Sequence, residues 1–308
     1  MLAHDEYEHS NDPYTISVTT LLKPVRSIIL SRRLNIEPDM DIHNFIPSSI
    51  GNALHHQLER VWKDGHYRAA MSKLGYPKKI VDAIIVNPVG EIPDKAIPVY
   101  VEQRTEKTIG KWTLSGMYDI VLEGTVMDLK SCGTYKYISG SSDYDYRMQG
   151  SMYRWLNPDI ITKDNMSIEF LFTDWKRMQA GSRGYPPAQI LSKTFQLLSI
   201  PDTEHFIKTR LTPLEQYEDK PQEALPRCTP IELWQRDTVW KYYKNPSSRT
   251  RSTKNYDNAI EANTRLNNDG NVGIVVEVPG EVLRCKYCNA NLACTQAEEY
   301  ILNGLLKI

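Results

Sequence analysis

From Leu114 to Ser131 the chain reads LSGMYDIVL, then Glu123-Gly124, then TVMDLKS. Apolar and polar positions alternate on both sides of a glycine-containing pair, the pattern of a β-hairpin closed by a two-residue turn. A turn centred there sets Asp119 across from Asp128, with Cβ atoms roughly 4.5–5.5 Å apart on one face. Alternation gives Lys130 the face of Asp128 and turns Met127 and Leu129 the other way.

Other periodicities frame this hairpin. Pro47–Lys63 predicts a helix capped by Ser48 or Ser49. Its apolar stripe is Leu54, Leu58, Val61 and Trp62, its wet face Asn52, His56, Arg60 and Lys63, and His55 sits at the border. Ile16–Arg33 predicts a short helix capped by Ser17 or Thr19 and interrupted at Pro24, with Arg26, Arg32 and Arg33 as a basic end open to solvent or phosphate. Ile97–Thr105 is strand-like and brings Glu102 toward the hairpin. Cys132–Ser142 reads as a loop, and Asp143–Pro158 as a helix with Met148, Met152 and Trp155 buried and Gln149 and Tyr153 stacked four apart. Met166–Asp174 predicts a covered strand, Ile200–Leu211 and Thr229–Tyr243 predict helices, and Lys241–Lys254 is a basic stretch suited to tracking a nucleic-acid strand. The strand, helix, strand order implies an α/β core with a mixed sheet.

Composition narrows the class. The chain has 308 residues, 41% hydrophobic and 24% charged, with a net charge of −1, so no global basic field marks a polyanion partner. The opening MLAHDEYEHSNDP lacks the apolar core of a signal peptide, and no later run is long enough for a membrane span, which sets the expectation of a cytoplasmic protein with no membrane association. Five cysteines then argue for metal or incidental use over a disulfide framework. Cys285, Cys288 and Cys294 follow C-x2-C-x5-C, and Cys228 lies in a Pro-rich segment upstream. Four thiolates suit tetrahedral zinc or one iron–sulfur cluster, and spacing does not choose between them.

The hairpin carries its own chemistry. Two carboxylates at close range are costly unless a cation bridges them, and oxygen ligands suit a hard ion such as Mg²⁺. Lys130 beside them is placed to hold a water or a phosphate oxygen, while a solvated hairpin with scattered charges accounts for the same residues.

In order along the chain, His55 in GNALHHQLE, Gly116 and Asp119 in SGMYD, Asp128-Leu129-Lys130 in VMDLKS, and Gln149 with Tyr153 in QGSMY resemble the motifs of the RecB-type PD-(D/E)XK nucleases. The cysteines are similar to the iron–sulfur staple of that family's CRISPR-associated and helicase–nuclease branches, over a span from about Ser17 to Gln296. Those branches usually take their first cluster cysteine from upstream of the histidine motif. Here LKPVR stands in that place, no cysteine precedes Cys132, and Cys228 is the substitute, as in phage-type members. The resemblance implies a restriction-endonuclease-like core at residues 17–200, after a polar tail at 1–16 and before a C-terminal helical segment with the four-cysteine site at 201–308. It implies Mg²⁺- or Mn²⁺-dependent exonuclease action on DNA ends, in phage recombination or replication, within the host cytoplasm. His55, Asp119, Asp128, the Leu129 carbonyl and Glu102 are the implied ligands. Lys130 positions and helps deprotonate the attacking water, and Gln149 and Tyr153 hold the nucleic acid or order the site. Cys228, Cys285, Cys288 and Cys294 are expected to hold a [4Fe–4S] cluster, with Zn²⁺ as the alternative. The expected partners are DNA and a single-strand annealing or recombination protein. A DNA-binding or assembly protein that keeps the fold without catalysis is the competing expectation.

Overall fold

The computed structural model describes residues 12–34 and 42–307. In chain order the elements are β1 (Thr15–Ser17), α1 (Val18–Leu21), α2 (Val25–Leu34), α3 (Ile42–Lys63), α4 (Tyr67–Lys73), α5 (Lys78–Ala83), β2 (Ile84–Val86), β3 (Ile97–Ile109), β4 (Trp112–Leu122), β5 (Thr125–Cys132), α6 (Thr134–Ser139) and α7 (Asp143–Leu156). There follow β6 (Asn165–Phe172), β7 (Ile190–Gln196), α8 (Ile200–Tyr217), β8 (Val239–Tyr243), β9 (Lys254–Tyr256), α9 (Ala259–Asn268), β10 (Ile274–Val278) and α10 (Thr295–Leu302). Packing divides the described residues into two compact units, 12–22 with 42–212, and 23–34 with 213–307. None of the helices is long and apolar enough to cross a membrane, among the described residues.

The first unit is built on one mixed seven-stranded sheet, ordered β2-β3-β4-β5-β6-β7, with β1 added beside β4. Strands β5 and β6 run parallel, so the chain must cross over between them, and α6 and α7 make that crossing. Met148, Met152 and Trp155 of α7 are buried, as are Val126, Met166, Ile168, Phe170 and Phe172 of β5 and β6. Gly116 on β4 accepts this helix closely. A Cβ there would stand 2.7 Å from Leu156 Cδ1 and 3.1 Å from Tyr153 Cε1.

The hairpin forms with Glu123 and Gly124 both in the left-handed region, at φ of 49° and 80°, which matches the turn's twist to that of its strands. Leu122 pairs with Thr125, Val121 with Val126 and Ile120 with Met127. Paired backbone stops there. Beyond that point β4 pairs with β1 along Thr113–Ser115, while β5 continues against β6 to Cys132. Asp119 and Asp128 therefore stand at the fork of two diverging strands.

Several expected elements differ. Helix α3 starts at Ile42, which puts Pro47 and both serines inside it instead of at its cap; one lost backbone bond at proline is tolerated in a 22-residue helix. The expected loop after Cys132 contains α6, and α8 continues to Tyr217 through Pro213. The helix expected over Thr229–Tyr243 is absent; its aromatic, β-branched end is strand β8.

In the second unit β8 is the middle strand of an antiparallel sheet ordered β10-β8-β9. Tyr242, Tyr256 and Ala262 of α9 form its core, with Trp240, Leu266 and Val275 against them. This removes the tyrosines of the basic stretch as stacking surfaces, since Tyr242 and Tyr243 are buried, and leaves Lys244, Arg249, Arg251 and Lys254 exposed. Helix α2 belongs to this unit and buries Val25, Ile28, Ile29 and Leu30.

Candidate functional site

All seven polar side chains that the sequence singles out around the hairpin lie in the first unit. Helix α3 has the phase read from its stripe, so His55 is 29% exposed and His56 59%. His55 Nδ1 lies 3.3 Å from Asp119 Oδ2 and 3.8 Å from Glu102 Oε1. Ligand atoms of His55, Glu102 and Asp119 all fall within 4.8 Å of one another. Glu102 reaches this spot from a left-handed backbone (φ 47°) between the regular pairs Val101–Ile120 and Gln103–Tyr118. Such a conformation costs energy for a residue with a Cβ and persists only where neighbours pin it.

Asp119 performs a second task at the fork. Its Oδ2 accepts the Leu129 N–H at 2.8 Å, replacing the strand partner that the divergence removes. A residue in a strand sends its N–H and C=O to the same side, so the Leu129 carbonyl faces the fork as well. Asp128 is 1% exposed. Its Oδ2 lies 2.5 Å from Lys130 Nζ, and its Oδ1 is 3.4 Å from Gln149 Nε2, which also donates to Tyr153 Oη at 2.8 Å. The sequence treats Asp119 and Asp128 as the primary pair, whereas the tight trio is His55, Glu102 and Asp119, with Asp128 held by Lys130 and Gln149.

Electrostatics follow from this crowding. Hydrogen bonds to Asp119 and then Glu102 push the His55 imidazole up to about 10. Burial pushes Asp128 up to about 6. Burial works to lower Lys130, but the charges of Asp128 and Asp119 outweigh it and the net direction is up. Three carboxylates thus face one imidazole and one ammonium. Among the described residues Glu102 Oε1 is buried without an aligned hydrogen bond, and a buried lone pair of this kind suits a hard divalent cation.

The second cluster lies in the second unit. Cys228, Cys285, Cys288 and Cys294 line one small pocket together with Arg26, Ser27 and Leu30 of α2. Short 3-10 turns at Arg284–Tyr287 and Asn291–Ala293 set the spacing of the last three. Cys228 is joined to them by Gln296, whose amide accepts from the Cys228 N–H and donates to its carbonyl, both at 2.9 Å. Burial pushes the Cys228 thiol up to about 12 and Cys285 up to about 11. Four cysteine thiols around one pocket are the donor set of tetrahedral zinc or of one iron–sulfur cluster. Cys132 ends β5 in the first unit and takes no part.

Sequence reasoning did not foresee α2 at this pocket. It gave Arg26 to solvent or phosphate, yet Arg26 is 4% exposed and donates to Cys294 Sγ at 3.2 Å. The available signal was positional, since LKPVR occupies the place of the missing upstream cysteine.

No family model matches the chain, and no curated protein does. Among solved structures, that of SSO0001 overlaps with a TM-score of 0.40 at 16% identity, over 70% of this chain and 82% of the other. A phage-related exonuclease from Haemophilus somnus 129PT overlaps with a TM-score of 0.35 at 15% identity, over 64% of this chain and 79% of the other. Overlap this loose carries no argument about function.

Proposed function

We propose that the protein is a Mg²⁺- or Mn²⁺-dependent deoxyribonuclease that removes nucleotides from DNA ends. The observation that carries this is the convergence of His55, Glu102, Asp119, Asp128 and Lys130 on the open fork between β4 and β5. A module that only binds DNA gains nothing from burying three carboxylates together, which is why catalysis is preferred over a retained but idle fold.

His55, Glu102, Asp119, Asp128 and the Leu129 carbonyl would hold the cation. When bound, the cation neutralises phosphate oxygens and acidifies a water near neutral pH. Lys130 is held protonated by Asp128 and Asp119, so its role in this chain is to donate a hydrogen bond to a water or phosphate oxygen. Burial raises Asp128, and the Lys130 ammonium 2.5 Å away holds its carboxylate in place. Gln149 fixes the Asp128 carboxylate through Oδ1 and is itself steadied by Tyr153.

The four cysteines that line one pocket would hold a metal centre, a [4Fe–4S] cluster by the resemblance of their spacing to the nuclease staple, with Zn²⁺ as the alternative. Action in recombination or replication beside an annealing protein extends the same proposal. Linear and circular DNA, incubated with Mg²⁺, Mn²⁺ or EDTA, test it. Loss of linear DNA alone, in the presence of metal, is expected, and intact linear DNA under every condition would contradict catalysis.

A further inference from the structure

Arg26 presents an unusual balance of charge. Its guanidinium is buried, and Nη1 donates to the carbonyls of Gln222 and Leu225 at 3.2 and 3.3 Å. Nη2 donates to Gln222 Oε1 at 3.3 Å and to Thr295 Oγ1 at 2.8 Å, and Nε donates to Cys294 Sγ at 3.2 Å. No carboxylate is among these partners. Glu299 of α10 is committed to Arg227, at 3.0 and 2.6 Å. A buried cation is costly without an anion beside it; Glu299 feels the charge of Arg26 but accepts its hydrogen bonds from Arg227, so among the described residues the hydrogen-bonded partner of Arg26 that can become an anion is the thiol of Cys294. The next residue repeats the direction, with Ser27 Oγ 3.3 Å from Cys288 Sγ. Two consecutive residues of α2 thus address two different sulfurs of one pocket.

We propose that Arg26 is the built-in counter-ion of an anionic four-thiolate metal centre, with Ser27 its second hydrogen-bonding partner on sulfur. This rests on the cysteines holding a metal. Loading the pocket deprotonates its thiols and leaves a centre of net negative charge, which the fixed guanidinium offsets. Without that charge four thiolates would repel one another in a site shielded from water. Arg26 and Ser27 are positioning residues for the centre, not ligands.

The test uses anaerobically purified full-length protein as wild type, Arg26→Lys, Arg26→Gln and Ser27→Ala. Iron, sulfide and zinc per chain are measured, then the rate at which a chelator strips the metal. Arg26→Gln keeps amide donors but not the charge, and should lose metal roughly tenfold faster or more, the scale of a lost partner to a ligand. Arg26→Lys keeps the charge and should fall between the two, and Ser27→Ala should speed release less than Arg26→Gln and shift the visible absorption of the loaded centre. A purely structural role in tying down the carbonyls of Gln222 and Leu225 would make Arg26→Gln as good as Arg26→Lys or better, and would overturn the proposal. Wild-type release rates in both Arg26 variants would overturn it while leaving the metal centre intact. If Arg26→Gln does not fold, Ser27→Ala and Arg26→Lys decide, since a wild-type spectrum and release rate in Ser27→Ala would overturn the sulfur-directed role of α2. Wild-type protein without iron or zinc would remove the centre itself, and the counter-ion with it.

Discussion

His55 shows how much one side chain's surroundings decide. Asp119 and Glu102 hold its imidazole protonated up to about 10, so a cation taking a ring nitrogen must displace a proton. Mn²⁺ binding at pH 7–8 should therefore release a proton and weaken as the pH falls. Calorimetry in buffers of different ionisation enthalpy measures this, and His55→Ala should abolish the release; equal proton release by wild type and variant would remove His55 from the ligand set. In the metal-free protein the same shift stabilises the fold. That contribution is fully present below the ordinary histidine value of 6.5 and is lost as the pH rises through about 10. His56, 59% exposed, should be replaceable by alanine at little cost to hydrolysis. Lys130→Ala should slow hydrolysis heavily and spare Mn²⁺ affinity, because its ammonium acts on oxygen atoms and not on the ion; lost affinity instead would assign it a different role.

At the scale of elements, the turn and the close approach of α7 to β4 make distinct predictions. Glu123 carries a Cβ at φ 49°, where asparagine is better tolerated, so Glu123→Asn should raise the midpoint of thermal unfolding and leave activity unchanged. Gly116→Ala would drive a Cβ into Leu156 and Tyr153. It should cost about 1–3 kcal/mol in urea unfolding and lower the hydrolysis rate by displacing α7, whose Gln149 touches Asp128; wild-type stability would mean that the helix yields freely. These elements also show what was legible in advance. A two-residue glycine turn sets its register from within, so the three pairs beside the turn could be read from the sequence, whereas the parting of the strands before Asp119 and Asp128 could not; the 3.6-residue period fixed His55 against His56. Glu102 was expected near the hairpin from the strand beside it, but its left-handed backbone, which interrupts the pairing there, was not legible. Strand β8 was not legible because its partner β10 lies some thirty residues on, past β9 and α9, and Val239–Tyr243 taken alone suits either period. The place of α2 was hidden for a similar reason, since its partners lie roughly two hundred residues downstream and no local pattern records them.

For the whole molecule, the two candidate sites lie in two separately packed units, and each proposed chemistry should be removable alone. Cys228→Ser should release the metal proposed for the second unit and raise hydrogen exchange across residues 23–34 and 213–307, with little change at 42–212. Cys132→Ser should do neither. Full metal content in Cys228→Ser would require a fourth ligand from elsewhere. The central claim, that the fork between β4 and β5 hydrolyses phosphodiesters with a bound cation, is met most directly by one rate. Asp119→Asn removes ligand charge and keeps the side chain's size and its place beside Leu129. On end-labelled linear DNA, with protein stripped of metal and then given Mn²⁺, the variant should fold as wild type does and hydrolyse nothing measurable above the EDTA control. Turnover in the variant at more than a few per cent of the wild-type rate would contradict the account.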